Sequence, residues 1–376
     1  MEGKEVFFIS GDLGGYEDTL PVVRRLQKSG ARIRYFVDPD GVAKKRLDEV
    51  GTFCEFRLPQ EKDEPDLIII GVSSSAFGLQ VAWTEFGWWK GIPVFWIEDV
   101  PGMAAAPHVR VELERTRVSP RVIFCSEVAG EGINRKYYPG ARVLCLGKTT
   151  FEGLGELRKK AKHIRSLVRA RAKIKEQDKV IAFWSGGSSK DRVEEQLGAI
   201  VSVLAKMTSF FDGRFSFAPL FHPQLDRNFY AGTTHYLFGK AMGLCESAGI
   251  EVIDLRGKNP ADNIMASDIT IGDWDGNEAT RSTVLGVPAI ITLFPDDFER
   301  RVDLGFKHGA VSLISSGAAF GVKNAGELDA AITHITNNEK DVMDALREAS
   351  KPYFSMGEPG ATARIVFEIL EWMGIR

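Results

Sequence analysis

Residues 179–207 read KVIAFWSGGSSKDRVEEQLGAIVSVLAKM, and they contain a complete strand–turn–helix pattern. Lys179 to Trp184 is an apolar run, Ser185 to Ser189 is a turn rich in Gly and Ser, and Val193 to Met207 repeats apolar residues at helical spacing. Strands that alternate with helices are typical of a parallel sheet covered on both faces. This stretch therefore predicts an α/β domain.

The first half of the chain shows the same pattern. Val6-Phe7-Phe8-Ile9 precedes a turn at Ser10 to Gly15, and Leu20, Val23 and Leu26 then recur at helical spacing. Further apolar runs predict the other strands, which are Ile33 to Val37, Leu67 to Ile70, Pro93 to Ile97, Val122 to Cys125, Phe215 to Phe221, Glu251 to Leu255, Ile269 to Ile271 and Ala289 to Leu293.

The length of the chain fits two such domains. At about 150 residues per domain, 376 residues favour two domains over three. We expect the first domain over residues 1–150 and the second over residues 177–358, with a hinge within residues 148–178. A helix around Ile365 to Met373 is expected to end the chain, because Val366, Ile369 and Leu370 give it an apolar face.

The composition is that of a folded globular protein. Hydrophobic residues make up 44% and charged residues 26%, and the net charge is −3, so no global basic field suggests nucleic-acid binding. Met1 to Lys4 leads directly into the first strand, and no apolar run approaches the roughly 18 residues of a transmembrane helix. We therefore expect a cytoplasmic protein.

The four cysteines, Cys54, Cys125, Cys145 and Cys245, are far apart in the sequence. They form no C-x-x-C pair and have no nearby histidine, so neither a zinc site nor a disulfide framework is expected. Cys125 and Cys145 lie inside apolar runs, which favours buried thiols.

Ligands of open parallel sheets bind beyond the carboxyl ends of the strands, so the loops that follow the strands are the places to search. Ser185-Gly186-Gly187-Ser188-Ser189-Lys190 follows a strand and opens a helix. Its glycines would let the backbone approach a phosphate, and Lys190 would add positive charge. The loop lacks the G-x-x-x-x-G-K-[ST] pattern of a P-loop, and neither half has G-x-G-x-x-G after its first strand, which argues against a nicotinamide dehydrogenase. A phosphate site and a plain turn both fit.

The strongest local pattern is GDWDGNEATRSTVLGVP, residues 272–288. A helix should begin near Asn277 or Glu278 and end at Gly286. Its N-terminus could receive phosphates, and Glu278 could accept hydrogen bonds from ribose hydroxyls. Asp273-Trp274-Asp275 also matches the D-x-D metal pattern of some glycosyltransferases, but helix capping by Asp275 is favoured over metal binding.

Together these features resemble the GT-B nucleotide-sugar superfamily, whose members include glycosyltransferases and UDP-N-acetylglucosamine 2-epimerase. Within it, the chain looks most like lipid-A-disaccharide synthase and its relatives. The resemblance lies in motifs that follow one another along the chain: Ser10-Gly11-Asp12-Leu13 with Gly15, Pro65-Asp66 before the strand from Leu67, Gly147-Lys148-Thr149-Thr150, and Gly276 with Leu285-Gly286-Val287-Pro288.

The resemblance implies two Rossmann-like domains that face a cleft, with residues 359–376 packed back on the first domain. It implies a nucleoside-diphosphate sugar, UDP-linked, as co-substrate in the second domain and an acceptor, lipid-linked or not, in the first, with no further cofactor and no metal. The residues expected to bind the nucleotide sugar are Gly14, Gly15, Ser185, Gly186, Gly187, Ser188, Lys190, His222, Arg256, Gly276, Asn277, Glu278 and Arg281.

Glycosyl transfer needs a base near the acceptor hydroxyl. Glu98 and Asp99 follow a strand of the first domain and are the first candidates, and Asp12 is the next. Ordinary helix capping or solvation explains these three carboxylates equally well.

Two positions depart from the family pattern. Where the family has a catalytic aspartate, this chain reads Ser73-Ser74-Ser75-Ala76, and Arg281 stands where the family commonly has a ribose-binding glutamate. Arg281 would either neutralise phosphate or pair with Glu278 one helical turn earlier. A glycosyltransferase is therefore the leading hypothesis, with a UDP-sugar 2-epimerase or hydrolase and a non-catalytic binding protein as alternatives.

Two surfaces suggest larger partners. Residues 158–175 carry nine Lys and Arg side chains and an apolar stripe, which fits either a solvated helix or an anionic or membrane surface at the inner membrane face. Trp83, Phe86, Trp88 and Trp89 form an aromatic cluster, which would be core if buried and a dimer or membrane contact if exposed.

Overall fold

A computed structural model of the chain describes residues 1–11, 13–38, 42–49, 51–72, 77–105, 113–187, 189–208, 214–256, 259–273, 277–294 and 309–375. Contacts within the chain divide these residues into two compact units. The first unit holds residues 1–152 and 358–375, and the second holds residues 153–294 and 310–357.

The first unit is built on a seven-stranded parallel sheet in the order β3-β2-β1-β4-β5-β6-β7. All six residues of the central strand β4 are buried, as expected for a sheet covered on both faces. The strands are β1 (Glu5–Ser10), β2 (Arg32–Val37), β3 (Cys54–Glu55), β4 (Leu67–Val72), β5 (Val94–Glu98), β6 (Val122–Cys125) and β7 (Arg142–Cys145).

Helices cover both faces of this sheet. The apolar residues of one face form a cluster with Trp83 and Leu79, and those of the other face pack against Val22 and Leu26. The helices of this part of the chain are α1 (Leu13–Lys28), α2 (Val42–Glu49), α3 (Phe77–Lys90) and α4 (Val128–Tyr137), with short 3-10 helices at Met103–Ala105 and Thr149–Phe151.

The second unit has a six-stranded parallel sheet in the order β10-β9-β8-β11-β12-β13. Its strands are β8 (Lys179–Trp184), β9 (Phe215–Leu220), β10 (Glu251–Val252), β11 (Ile269–Asp273), β12 (Ala289–Thr292) and β13 (Phe320–Val322). Its helices are α5 (Leu154–Lys159), α6 (Ala161–Arg171), α7 (Lys190–Thr208), α8 (Gln224–Asn228), α9 (Thr233–Ser247), α10 (Pro260–Ala266), α11 (Glu278–Leu285), α12 (Gly309–Ser315), α13 (Ala325–Thr336) and α14 (Lys340–Ser350), followed by a 3-10 helix at Lys351–Gly357.

The last helix, α15 (Ala361–Trp372), belongs to the first unit. Ile365, Val366 and Ile369 are buried in the same apolar cluster as Val22 and Leu26. The carboxylate of Glu152 accepts hydrogen bonds from the amides of Gly360 (3.1 Å) and Thr362 (2.7 Å), and so satisfies N–H groups at the start of the helix.

The two parallel-sheet α/β units confirm the predicted fold class. The runs at Val122 to Cys125 and Lys179 to Trp184 are strands with those bounds, and the other predicted strands shift by one to three residues. Three strands were not predicted: β3 and β13 are only two and three residues long, and β7 pairs only with β6 at the edge of the first sheet. The structure counts α5 and α6 within the second unit, whereas the sequence places the start of that domain at residue 177.

The basic stretch that precedes β8 does not simply face solvent. Arg169 is 1% exposed and donates hydrogen bonds to the carbonyls of Ala266 and Asp178 and to the carboxylate of Asp268. Arg165 binds the same carboxylate (2.8 Å) and the carbonyl of Ser267 (2.7 Å). These arginines attach α6 to the second sheet, so part of the predicted charged surface has a structural role.

Candidate functional site

At the carboxyl edge of the first sheet, the chain reverses its direction of winding between β1 and β4, which is where ligands bind in such sheets. The start of α1 packs directly on β4 at this point. A Cβ atom on Gly15 would lie 2.6 Å from the carbonyl oxygen of Gly71, and one on Gly71 would lie 2.2 Å from that of Gly15. Only glycine at both positions allows this approach.

A buried cluster of three charges lies beside this contact. Lys148 Nζ is 2.5 Å from a carboxylate oxygen of Asp18 and 3.4 Å from one of Asp99, and it also donates a hydrogen bond to the main-chain carbonyl of Asp99. The side chains of Lys148 and Asp18 are each 3% exposed and that of Asp99 is 14% exposed. The cluster therefore places two carboxylates around one lysine, and its outermost member is Asp99.

Asp18 is enclosed by further hydrogen bonds. The Thr150 hydroxyl donates to its carboxylate (2.6 Å), the Thr150 amide does so at 3.2 Å, and the Thr149 hydroxyl donates to its main-chain carbonyl (2.5 Å). Asp18 thus anchors the Gly147–Thr150 loop, whereas the carboxylate of Asp99 lies over Gly14, where a Cβ atom would be 1.9 Å from Oδ2.

Glu98 and Asp99 are adjacent in sequence but differ in their surroundings. Glu98 is 2% exposed and its carboxylate accepts hydrogen bonds from the amides of Gly102 (3.3 Å) and Ala104 (2.8 Å). Burial raises the pKa of this carboxyl to about 7, although those hydrogen bonds act in the opposite direction. Glu98 therefore caps the turn after β5, and Asp99 is the better placed of the two for contact with a ligand.

Sequence reasoning did not single out Asp18 or Lys148 as site residues. One signal was available for Lys148. It follows the apolar run Val143 to Leu146 and Gly147, so it stands directly after the end of a strand. Asp12, the third candidate base, and the segment Ser73 to Ala76 lie outside the described residues.

At the carboxyl edge of the second sheet, three strands end side by side. Leu220 of β9 and Gly272 of β11 are both register partners of Trp184 in β8. The loops that follow these strands therefore begin next to one another, at the point where this sheet reverses its direction of winding.

Two of these loops are packed together closely. The Ser185 hydroxyl accepts a hydrogen bond from the His222 amide (3.0 Å), and Asn228 donates to the carbonyl of Gly187 (2.7 Å). A Cβ atom on Gly187 would lie 2.8 Å from Nδ1 of His222 and 3.0 Å from Cβ of Gln224. The Gly187 position thus has no room for a side chain, while Gly186 is also buried and Ser188 lies outside the described residues.

The ring of His222 has a defined hydrogen bond. Its Nδ1 accepts from the amide of Gln224 (3.1 Å), so Nε2 carries the proton in the neutral ring. His222 can therefore donate a hydrogen bond from Nε2 to an anionic oxygen.

A buried ion pair joins the start of α7 to the end of β11. Arg192, in the first turn of α7, lies 2.7 Å from the carboxylate of Asp273 at the end of β11, and their side chains are 5% and 0% exposed. Sequence reasoning assigned Asp273 to a D-x-D pattern and gave Arg192 no role. Asp275 lies outside the described residues, and within the described part of the chain no group of three His, Cys, Asp or Glu side chains could hold a metal ion.

Two predicted cations have other partners. Lys190 lies 2.5 Å from the carboxylate of Glu194, which also binds Lys240, and over the ring of Tyr236. Arg256 pairs with Asp254 (2.7 Å) after the edge strand β10 and stacks on the ring of Phe238 at 3.5 Å. The charge of each is thus balanced by a neighbouring carboxylate.

Helix α11 has the bounds that its sequence predicts, and Gly286 ends it with a left-handed φ of 78°. Arg281 lies 3.2 Å from the carboxylate of Glu278, and both side chains are less than a quarter exposed. Asn277 precedes the helix without capping it through its side chain, and Gly276 lies outside the described residues. The pair of Arg281 with Glu278 is therefore formed, and its contact with phosphate stays a prediction.

The aromatic cluster of α3 divides into two parts. Trp83 is fully buried against Phe7 and Phe36, whereas Trp88 is 43% and Trp89 76% exposed. Trp88 and Trp89 are therefore exposed, as a dimer or membrane contact requires, whereas Trp83 belongs to the core. Among the described helices, none has the length and apolarity needed to cross a membrane.

A cavity of about 400 Å³ lies at the opposite, amino edge of the second sheet. Lys179, Asp268 and Pro288 line it beside Arg165, whose guanidinium is committed to Asp268 and to main-chain carbonyls. It is therefore separate from the three loops at the carboxyl edge.

Comparison with solved structures identifies the fold class of the chain as GT-B. Three similar structures are a UDP-GlcNAc 2-epimerase from Neisseria meningitidis bound to UDP-GlcNAc, a glycosyltransferase from Rickettsia africae, and MnaA from S. aureus with UDP. Their TM-scores are 0.65, 0.61 and 0.66 at 15%, 13% and 13% sequence identity. The matches cover 98%, 99% and 99% of this chain and 100%, 99% and 98% of those chains.

No protein-family model matches the sequence, and a sequence search of curated proteins finds no match. At such low identity the similarity shows the fold alone. The narrower resemblance to lipid-A-disaccharide synthase stays a prediction.

Proposed function

We propose that the chain is a GT-B glycosyltransferase that takes its sugar from a UDP-linked donor. The observation that carries the proposal is that β8, β9 and β11 end side by side at the winding reversal of the second sheet, where Gly187 packs against His222. Two of the similar structures contain UDP-GlcNAc or UDP, which supports this choice of nucleotide.

In the second unit, main-chain amides and dipoles bind the nucleotide. The amides of Gly186 and Gly187 and the Nε2–H of His222 donate to the diphosphate, and the N-terminus of α11 adds its positive dipole end. Glu278 accepts from the ribose hydroxyls through the carboxylate oxygen that does not bind Arg281. Arg192 and Asp273 hold the loops in place rather than touching the nucleotide, because both are buried.

In the first unit, Asp99 acts on the acceptor. Its carboxylate removes the proton of the acceptor hydroxyl as the acceptor oxygen bonds to the anomeric carbon, and the bond from that carbon to the UDP oxygen breaks. Lys148 is the positioning residue, since it binds the main-chain carbonyl of Asp99 and lies 3.4 Å from its carboxylate. The buried carboxylate of Glu98 stabilises the same turn by accepting hydrogen bonds from the amides of Gly102 and Ala104.

A UDP-sugar 2-epimerase or hydrolase is the second candidate. The similarity to the epimerase from Neisseria meningitidis favours it, and the carboxylates of the first unit suit proton transfer at a sugar carbon as well as at a hydroxyl. Product analysis separates the two. An epimerase or hydrolase consumes UDP-GlcNAc without any acceptor, whereas a transferase needs one.

Isothermal titration calorimetry with UDP tests the nucleotide site. The wild-type chain should bind UDP, and Gly187→Ala should weaken binding by at least tenfold, because the added methyl displaces His222 or Gln224. Gly198→Ala in α7 is the matched control, since no atom outside the adjoining turns of its own helix lies within 4 Å of the new methyl. Absence of UDP binding by the wild type would remove both enzymatic candidates and leave a non-catalytic binding protein.

The acceptor, a peripheral membrane contact and a homodimer stay predictions. The exposed rings of Trp88 and Trp89 support a surface contact, and a lipid-linked acceptor would suit a protein that binds at a membrane surface.

A further inference from the structure

Two of the four cysteines lie opposite one another in the first sheet. Cys125 is the last residue of β6, Cys145 is the last residue of β7, and the two are register partners in this parallel pair. Residues paired in this way project to the same face of a sheet, and both cysteines contact the same apolar cluster.

Their backbone separation suits a disulfide. Neighbouring strands lie about 4.8 Å apart, which is inside the range of roughly 4.4–6.8 Å between the Cα atoms of bonded cysteines. Because both strands end at these residues, the side chains can approach without a break in the middle of the sheet.

The two thiols also differ in the way that a reactive pair requires. Cys125 is 1% exposed, and Cys145 is half-buried. The Cys125 thiol donates a hydrogen bond to the main-chain carbonyl of Leu144 (3.5 Å). The neighbouring Cys125 thiol lowers the pKa of the Cys145 thiol, and the Gly147 amide acts in the same direction, against burial and the carboxylates of Glu131 and Glu127. The neighbouring Cys145 and burial raise the pKa of the Cys125 thiol.

We propose that Cys125 and Cys145 form a reversible thiol–disulfide site that reacts with low-molecular-weight disulfides. The thiolate of Cys145 attacks one sulfur of the small disulfide and releases one small thiol, which leaves a mixed disulfide on Cys145. Cys125 then loses its proton, attacks the Cys145 sulfur and releases the second small thiol. The two protein thiols are oxidised to one disulfide, and the small disulfide is reduced to two thiols.

The other two cysteines serve as internal references. Burial raises the pKa of Cys54 in β3, and burial raises the pKa of Cys245 in α9 to about 11. Neither has a register partner that is a cysteine, since Cys54 pairs with Tyr35 and Cys245 is helical.

The proposed bond would form next to the buried charge cluster. Cys145 precedes Lys148 by three residues, and the amide of Leu146 between them already donates to the carbonyl of Cys125 (3.1 Å). Insofar as Asp99 and Lys148 act as proposed above, oxidation should alter turnover and leave UDP binding by the second unit unchanged. The thiol chemistry itself does not depend on that proposal.

The test exposes the full chain to excess oxidised glutathione at about pH 8, and then measures intact mass and thiol content under denaturing conditions. The expected product has lost two hydrogens and two of its four thiols, and trypsin releases residues 122–135 linked to residues 143–148. Dithiothreitol should restore the four thiols. Retention of all four thiols, or a bond that includes Cys54 or Cys245, would overturn the proposal.

Single variants assign the roles. Cys125→Ser should stop the reaction at glutathione bound to Cys145, and Cys145→Ser should lower the rate of glutathione incorporation at least tenfold. Cys54→Ser is the control and should leave the 125–145 bond unchanged. Should Cys125→Ser destabilise the fold, iodoacetamide labelling of the wild type gives a second measurement, in which Cys145 must react at least tenfold faster than Cys54. Equal rates would overturn the assignment.

Discussion

At the carboxyl edge of the first sheet, a lysine is buried between two aspartates, whereas at the same edge of the second sheet one arginine is buried against one aspartate. The first arrangement has two carboxylates around one lysine, and its least buried member, Asp99, lies over Gly14. The second is an ion pair that joins α7 to the end of β11. Under the function proposed above, the first edge serves proton transfer and the second binds an anion.

The largest expected effect comes from removal of the central cation. Lys148→Met leaves Asp18 and Asp99 without their shared partner, and loss of one member of a buried pair costs about 3–5 kcal/mol of folding free energy. Hydrogen exchange of α1 and the Gly147–Thr150 loop measures this locally, without assuming that both units unfold together.

The matched control is Lys4→Met, which breaks the half-exposed pair with Asp66 in the same sheet. We expect it to cost less than about 1 kcal/mol. Equal losses for the two variants would contradict the view that the cluster stabilises the first unit through buried charge.

The next effect is on turnover. Asp99→Asn keeps the shape of the side chain but removes the base, so kcat should fall by about 10²-fold or more. Glu98→Gln should lower kcat less than tenfold, because Glu98 caps the amides of Gly102 and Ala104 from a buried position. A larger loss in Glu98→Gln than in Asp99→Asn would transfer the role of base to Glu98.

Local sequence predicts the strands and helices at the carboxyl edges of both sheets but not the ion pairs that form there. The strand–turn–helix order fixed the expectation of two parallel sheets, and the bounds of α11 followed from Asn277 and Gly286. Asp18 and Lys148 are 130 positions apart, so no local pattern relates them. Their pairing depends on α1 packing on β4, which is a long-range contact.

The cations show the same limit. Lys190 was assigned to phosphate from its position near a helix N-terminus, and Arg281 was given either phosphate or Glu278 as its partner. Each lies within reach of a carboxylate one helical turn away. The i,i+3 and i,i+4 spacings to Glu278 and Glu194 were present in the sequence. Sequence position alone does not decide whether a cation at a helix start binds a ligand or its own helix.

A smaller effect is the pH dependence of stability that Glu98 should produce. Its pKa rises from 4.5 to about 7 on folding, so the folded chain binds more protons than the unfolded chain between these values. The contribution of Glu98 to the free energy of unfolding is fully present below pH 4.5 and is lost as the pH rises through 7. It falls by about 2 kcal/mol between pH 5 and 8. Urea unfolding of the wild type and Glu98→Gln at several pH values measures this slope, which should be absent in the variant. An unchanged slope would mean that Glu98 is not the group that titrates.

The smallest effect concerns Arg281, whose charge serves either an ion pair with Glu278 or the binding of phosphate. If its charge is balanced by Glu278 at 3.2 Å, Arg281→Ala should cost a few tenths of a kcal/mol in stability, as i,i+3 pairs do. UDP binding should then change by less than about 0.5 kcal/mol, whereas a direct charged contact with phosphate would cost roughly 1.5–3 kcal/mol. Calorimetry of Arg281→Ala decides between these values. Glu278→Gln is the companion variant, which frees Arg281 without removing it but also weakens the proposed ribose contact. Tighter UDP binding by that variant, despite the weaker ribose contact, would show that the ion pair holds the arginine away from phosphate.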